Sequence, residues 1–344
     1  MTGNGKIQGK ITFGIDGFVD EVWQVLANRF SRTDYLLFDK MRDFAKSVYD
    51  CGEGGYANEI IRKRRSYGGF VANTGKTAGR LGADVSMLGM FGADSIDPVF
   101  KGFVDEFKVI SVADPAVCQI FEFTDGKLML PFIEGAMDYS WEKLRRVPGL
   151  EEAMDADIVA IGYWSQLHEF DDIVTKLCEN FLIKGRCQRM FFDFADIRKR
   201  DQGSLERTLQ VLAGLDMPMT LSLNEHEGGL LFSYLGRNFD WEDSSKAEDH
   251  IEYVRKETGL DELIIHTPYF AVAATAREGV ATVMQEYCKN PVITTGAGDN
   301  FNGGYLAACL DKRGLTERLA VGNAVTGFYV RNGYSPSQDD LRSR

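Results

Sequence analysis

The chain has 344 residues, of which 44% are hydrophobic and 26% charged, the proportions of a soluble globular protein rather than a disordered or fibrous one. Thirty-nine basic residues against 51 acidic ones leave a net charge of −12. This excludes a general binder of nucleic acid or anionic membrane and requires any anionic ligand to be held by local groups. No apolar run reaches the length of a membrane span, and the opening MTGNGKIQGKITFG lacks the apolar core of a signal peptide, so a cytoplasmic protein is expected. The six cysteines contain no C-x-x-C pair and the four histidines no H-E-x-x-H, so the thiols read as reduced and no zinc site is indicated.

In chain order, KITFGI (10–15) reads as a first strand. Leu37, Met41, Phe44 and Val48 fall on one helical face, the pattern of a helix covering a sheet. The segment from Asp20 to Gly68 carries two helical patterns and the basic run Arg62-Lys63-Arg64-Arg65. That run reads either as a solvated face or as a contact for a phosphate or carboxylate on a substrate. In GGFVANTGKT (68–77) a helix is expected from about Ala72 to Gly82. ADVSMLGMFG (83–92) is the next strand, and QIFEFTDGKLMLPFI (119–133) holds Asp-Gly between two strand-like runs, the signal of a β-hairpin. ADIVAIGYW (156–164), RMFFDF (189–194), MTLSLN (219–224) and ELIIHT (262–267) are further short apolar strands, with Ile173, Leu177 and Phe181 marking a helix between the first two. Asp193 and Arg198 close one strand as a structural ion pair or as site residues. Near-continuous apolar strands alternating with helices give an α/β fold with a mostly parallel central sheet, helices on both faces and a small β lid.

Three glycine-rich stretches compete for chemistry. GGFVANTGKT ends in Gly-Lys-Thr, but Phe70 stands where a P-loop needs its first glycine. GEGGYAN (52–58) neither follows a strand nor opens a helix, and reads as a loop. TTGAGDNFNGG (294–304) is different: strand-like PVIT (291–294) leads into Gly296-Ala297-Gly298, after which Phe301, Tyr305 and Cys309 repeat every four residues. Free N–H groups at that helix start form an anion hole. Asp299 beside it is, on this motif alone, a helix cap or a catalytic acid.

Taken together, Gly68-Gly69 with Asn73, NEHE (224–227) and GAGD (296–299) occur in an order that resembles the PfkB, or ribokinase-like, family of carbohydrate kinases. The resemblance runs from GFVDEV (17–22) to AVGNAVTGFYVRNG (320–333), so it covers most of the chain as a single kinase domain, 1–344, with a lid from a hairpin at about 112–138 and parts of 17–66. It implies that Asp299 is the catalytic base, with Gly296, Ala297 and Gly298 and the Asp299 amide as the anion hole for the transferring phosphoryl group. It implies that Asp20, Gly68, Gly69, Asn73 and, as an addition, Asp16 contact the sugar. Asn224 and Glu227 would organise Mg2+, largely through water, beside the phosphates of ATP, with Thr267, Thr295 and Asn323 as further nucleotide contacts. The partners implied are a small sugar and a nucleotide, with no nucleic acid and no membrane, and the lid is a candidate homodimer contact.

Two departures from the family pattern stand out. Ile293 replaces an Asp common in the family near a monovalent-cation site, which argues against K+ activation. Thr267-Pro268-Tyr269-Phe270-Ala271 replaces a glycine-rich nucleotide loop and is distantly similar to ADP-dependent sugar kinases, although the length favours an ATP user. The rival readings are a nucleoside or polyol kinase of the same superfamily and a catalytically silent sugar- or nucleotide-sensing protein.

Overall fold

The computed structural model describes residues 6–237, 241 and 243–342; the first five residues of the opening stretch lie outside it. The strands are β1 (Lys10–Ile15), β2 (Phe18–Arg29), β3 (Tyr35–Leu37), β4 (Ile60–Gly68), β5 (Asp84–Gly89), β6 (Lys108–Ser111), β7 (Ala116–Phe123), β8 (Gly126–Phe132), β9 (Ile158–Gly162), β10 (Arg189–Asp193), β11 (Met219–Asn224), β12 (Glu262–His266), β13 (Phe270–Thr275) and β14 (Gly279–Met284). Nine form one sheet in the order β14-β13-β12-β11-β10-β9-β1-β5-β6, parallel except where β13 runs against both of its neighbours. The longer helices are α1 (Met41–Asp50), α2 (Phe70–Arg80), α3 (Phe170–Leu177), α4 (Gln202–Gly214), α5 (Glu225–Tyr234), α6 (Ala247–Thr258), α7 (Ala297–Leu310) and α8 (Leu315–Asn332).

Period-2 alternation of apolar strand residues builds two cores. Val159, Ile161, Met190 and Phe192 pack with Phe170, Leu205, Phe232 and Ile251 on one face, so α3 to α6 lie there. Ile158, Ala160 and Phe191 pack with Phe70, Phe301, Tyr305 and Leu319 on the other, which is covered by α2, α7 and α8. Phe70 is fully buried, stacked on Phe191 with centroids 6.4 Å apart; its truncation to Ala would cost about 3–5 kcal/mol.

The second sheet has the order β3-β2-β7-β8, with β4 paired to the other side of β2. It is larger than the expected hairpin. RKRRSY forms the body of β4, where a bulge in the pairing with β2 puts Arg62 and Arg65 on one face of the lid and Arg64 on the other. Leu37 lies in β3, and only one helix, α1, occurs between Asp20 and Gly68. That helix has no buried residue and sets Phe44 against Phe123 of the lid hairpin at 5.7 Å, so it braces the lid rather than the main sheet. PVIT is irregular chain, since Val292 is 69% exposed and pairs with no strand, its N–H bonding to Val330 O in α8. Helix α2 begins at Phe70 rather than near Ala72, because the Asp16 carboxylate accepts the Phe70 and Val71 N–H groups at 2.7 and 2.8 Å and satisfies that end. Among the described residues no helix is long and apolar enough to cross a membrane, and the six cysteines are free thiols.

Candidate active site

Parallel α/β sheets present their ligand sites beyond the carboxyl ends of the strands. Here those ends deliver Asp16, Tyr163, Asp193, Asn224 and His266 to one edge, and α7 points its first turn at the same edge. Gly296 takes a left-handed φ of 83°, which redirects the chain into that helix. The Ala297 N–H bonds to Thr294 O at 3.1 Å, which removes it from the expected anion hole and leaves the Gly298 and Asp299 amides, which have no intrahelical acceptor. Gly298 lies flat against His266; a Cβ there would sit 3.1 Å from His Cε1. Burial lowers the imidazole to about 4, so His266 is neutral, and its ring packs on Phe301 at 4.8 Å.

Asp299 is 7% exposed. Burial pushes its carboxyl up to about 6, while three donors hold it down: Asn73 Nδ2 at 2.9 Å, Tyr163 OH at 3.2 Å and Thr74 Oγ1 at 3.4 Å. It does not cap its helix; its oxygens point to α2 and β9 instead. Tyr163 and Thr74 were not singled out in the sequence, where an aromatic two residues before Ser-Gln and a Thr inside a helix carry no motif. Burial and the Asp299 charge raise the Tyr163 phenol well above its ordinary value, so it serves only as a donor.

A cavity of about 750 Å3 separates this edge from the lid. Register decides which lid residues face it: Asp20, opposite Ser66 and Cys118, and Val22, opposite Arg64 and Ile120, share the inner face with Glu122 and its partner Lys127. Asp20, Arg64, Glu122 and Lys127 all line the cavity together with Asn73 and Ile293. Burial raises Asp20 to about 6, offset by the nearby charges of Arg64 and Lys127. Gly68 is needed beside Asp20, since a Cβ there would meet its carboxylate at 2.6 Å. Arg62 and Arg65 face outward, Arg62 over Trp23 at 5.7 Å and Arg65 onto Asp97 at 2.7 Å, so one basic run divides between solvated and site roles. Lys127 was not anticipated: its Nζ crosses from the lid to Thr295 Oγ1 at 3.0 Å, beside the start of α7. Asp16 and Gly69 (φ 94°) do not line the cavity; Asp16 anchors α2 from behind, raised to about 8 by burial despite the Val71 and Phe70 amides.

A second cavity of about 440 Å3 opens on the other side of the α7 start and is lined by Asn224, His266, Thr267, Tyr287, Gly298 and Val330, among others. Thr267 Oγ1 there accepts the Tyr269 and Phe270 N–H groups at 3.0 and 3.1 Å and fixes the turn in place of the family's glycine-rich loop. Asn323 lines neither cavity; it is buried in α8, donating to Val283 O at 2.9 Å. Asn224 and Glu227 form a reciprocal capping box, Asn224 Oδ1 accepting the Glu227 N–H and Glu227 Oε2 the Asn224 N–H, both at 3.0 Å. Burial and the neighbouring Asp193 charge raise Glu227, and burial with the Asp299 charge raises Asp193. Arg198 does not neutralise Asp193: it pairs with Asp196 at 2.7 Å, because the chain turns away after β10. Asp193 instead accepts from Asn302 at 2.9 Å and from the Ala195 N–H at 2.8 Å. Glu227, Asp193 and Asp299 thus form a carboxylate-rich edge in which none is ion-paired among the described residues, although no three ligand groups are preassembled for a metal there.

Residues 5–344 match the family model described as prokaryotic ketohexokinase. The ketohexokinase of Haloferax volcanii is 30% identical over 351 aligned positions, covering 97% of this chain and 90% of that protein. The ribokinase of Haemophilus influenzae is 24% identical, covering 77% and 81%. Phosphofructokinase-2 of Escherichia coli, solved with substrates and products, superposes with a TM-score of 0.64 at 14% identity, covering 97% of both chains. The chain belongs to the prokaryotic ketohexokinase family and is a carbohydrate kinase of the PfkB, ribokinase-like, group.

Proposed function

We propose that this kinase transfers the γ-phosphoryl group of ATP to a hydroxyl of a neutral ketohexose held in the cavity between the lid and α7. The observation that carries the reading is the placement of Asp299: a buried carboxyl, poised near 6, in the first turn of α7 beside the free Gly298 and Asp299 amides and hydrogen-bonded to Asn73 of the cavity wall at 2.9 Å. The acceptor hydroxyl gives its proton to Asp299, its oxygen bonds to the γ-phosphorus, the bond to the bridging oxygen breaks, and ADP leaves. Little covalent work falls to the protein, so positioning and charge stabilisation dominate.

The remaining residues follow from where they lie. Asp20 and Asn73 orient sugar hydroxyls, while Gly68 leaves room for the Asp20 carboxylate and Gly69 and Asp16, outside the cavity wall, hold the start of α2 in place. The Gly298 and Asp299 amides receive the phosphoryl oxygens, and Lys127, delivered by the lid, adds a cation beside them. The second cavity, with Tyr287 stacked on Tyr269 at 5.1 Å, suits an adenine base, and Thr267 and Thr295 border it and the anion hole. Asn224 and Glu227, with Asp193 near, would hold Mg2+; unpaired carboxylates and the lack of a full preformed ligand set suit an ion that keeps its waters and binds through phosphates. Bound there, Mg2+ would neutralise charge on the triphosphate. Ile293 in the cavity wall offers no side-chain oxygen for K+.

Charge pairing supports a neutral acceptor over a sugar phosphate: Glu122 takes Arg64 at 3.0 Å and lies 3.8 Å from Lys127, so the inner lid carries little unmatched positive charge. Phe30, Leu36, Leu130 and Phe132 leave an exposed apolar fringe on the lid, which supports pairing with the lid of a second copy. The test is ADP release with Mg-ATP across fructose, other hexoses, nucleosides and fructose phosphates, and AMP release with ADP as donor. Turnover with fructose and ATP is expected; turnover confined to nucleosides or to a phosphorylated sugar would refute the proposal.

A further inference from the structure

At the opposite edge of the main sheet, where β1, β9 and β10 begin, lies another cavity of about 750 Å3. Six cationic side chains line it, Lys6, Arg186, Arg189, Lys312, Arg313 and Arg318, against two carboxylates, Asp157 and Asp311. Glu262 and Glu278, which pair with its floor, bring the carboxylates to four, so six cations less four leaves two positive charges in excess in a chain of net charge −12. Its deepest members are Arg318, 4% exposed, and Arg189, 24% exposed, which share the buried Glu262 at 3.8 and 3.0 Å. Arg318 also pairs with Glu278, yet its buried Nε has no acceptor. Well-packed apolar side chains would stabilise such a floor at least as well as buried ions, so stability alone gives no reason for its charge.

Nearer the mouth, Arg186 pairs with Asp157 and Arg313 with Asp311 at 2.9 Å. Lys6 and Lys312, both exposed, have no acidic partner within ion-pair distance among the described residues. Lys312 also occupies left-handed backbone, φ 57°, just past the end of α7, where Gly is the unstrained occupant. Two uncommitted ammonium groups above the paired guanidinium groups of Arg189, partly buried, and Arg318, buried with a free Nε, match a compact ligand with at least two negative charges.

We propose that this cavity is a second ligand site, separate from the active site, for a small phosphate-bearing anion: a phosphate monoester or a diphosphate. Lys6 and Lys312 supply its mobile cations, and Arg189 and Arg318 its fixed ones. The test is calorimetric titration of the full chain with inorganic pyrophosphate, comparing the wild type with a Lys6→Ala, Lys312→Gly double variant. Losing the two cations is expected to weaken one binding component at least about tenfold. The variant should melt no lower than the wild type, since both residues are exposed and glycine relieves the left-handed backbone. Pyrophosphate bound at the active site would be untouched by these substitutions, so identical isotherms for the two proteins, or no binding to the wild type at millimolar probe, would overturn the proposal.

Discussion

Replacing Tyr163 by Phe removes one hydroxyl from the site and leaves the ring against Phe70, whose centroid is 6.1 Å away. The hydroxyl donates to Asp299 Oδ1 at 3.2 Å and favours the ionised carboxylate. A hydrogen bond to a charged group contributes about 1.5–3 kcal/mol; at this length the lower end applies, which is about one pKa unit. Asp299, at about 6 in the native site, should therefore move to ~7 in the variant. If the ionised acid is the base, kcat/KM rises with pH through these values. At pH 6 the wild type is about half ionised and the variant ~10%, a roughly fivefold loss, whereas at pH 8 the two differ by only about a tenth. A coupled ADP-release assay from pH 5 to 9 reads this directly. An acid limb that stays in place, or a loss of equal size at every pH, would refute the reasoning, because either outcome separates Tyr163 from the ionisation of Asp299.

Asp299→Asn should lower kcat at least ~100-fold while leaving the melting temperature unchanged or raised, since a carboxyl whose burial opposes ionisation is replaced by a neutral amide. Lys127→Met should reduce kcat ~10-fold or more with little change in sugar KM, and Lys127→Arg should restore most of it; steady-state kinetics in which only KM rises would make Lys127 a lid latch. Asn224→Ala removes an acceptor shared by the His226 and Glu227 amides and should cost about 1 kcal/mol in urea unfolding, with more Mg2+ needed for half-maximal rate. The ligand-free protein should also lose stability as pH rises from about 5 to 8. Asp299 at about 6 and Asp16 at about 8 keep protons that the unfolded chain releases near 4, so the native state binds more protons across that window. Thermal melts that rise over this range would contradict it.

The six central strands of the main sheet, β1, β5 and β9 to β12, and the start of α7 were legible in the sequence, because buried parallel strands are continuous apolar runs and Gly-Ala-Gly before a four-residue repeat marks a helix entrance; the outer strands β6, β13 and β14 were not read. RKRRSY was not: a lid strand built of charged residues has no apolar alternation, and only its pairing with β2 assigns them to faces. Nor could spacing distinguish Arg64, facing the cavity, from Arg65, facing Asp97, since that depends on register with β2 and β7. PVIT read as a strand from its composition, and only the absence of a neighbouring strand made it irregular.

The sequence by itself determined which groups are present: an acid at a glycine-rich helix start, an Asn-x-x-Glu pair and a glycine pair, in family order. Tertiary structure decided what state that chemistry is in. Asp299 is poised near 6 because burial raises it while residues 73, 74 and 163, remote in the chain, converge on it as donors and hold it down. Lys127 reaches Thr295 across 168 residues because the lid sheet folds over the edge of the main one. Local propensity is written in neighbouring residues, whereas burial, register and the fields that shift a carboxyl are properties of residues that meet only when the chain is folded.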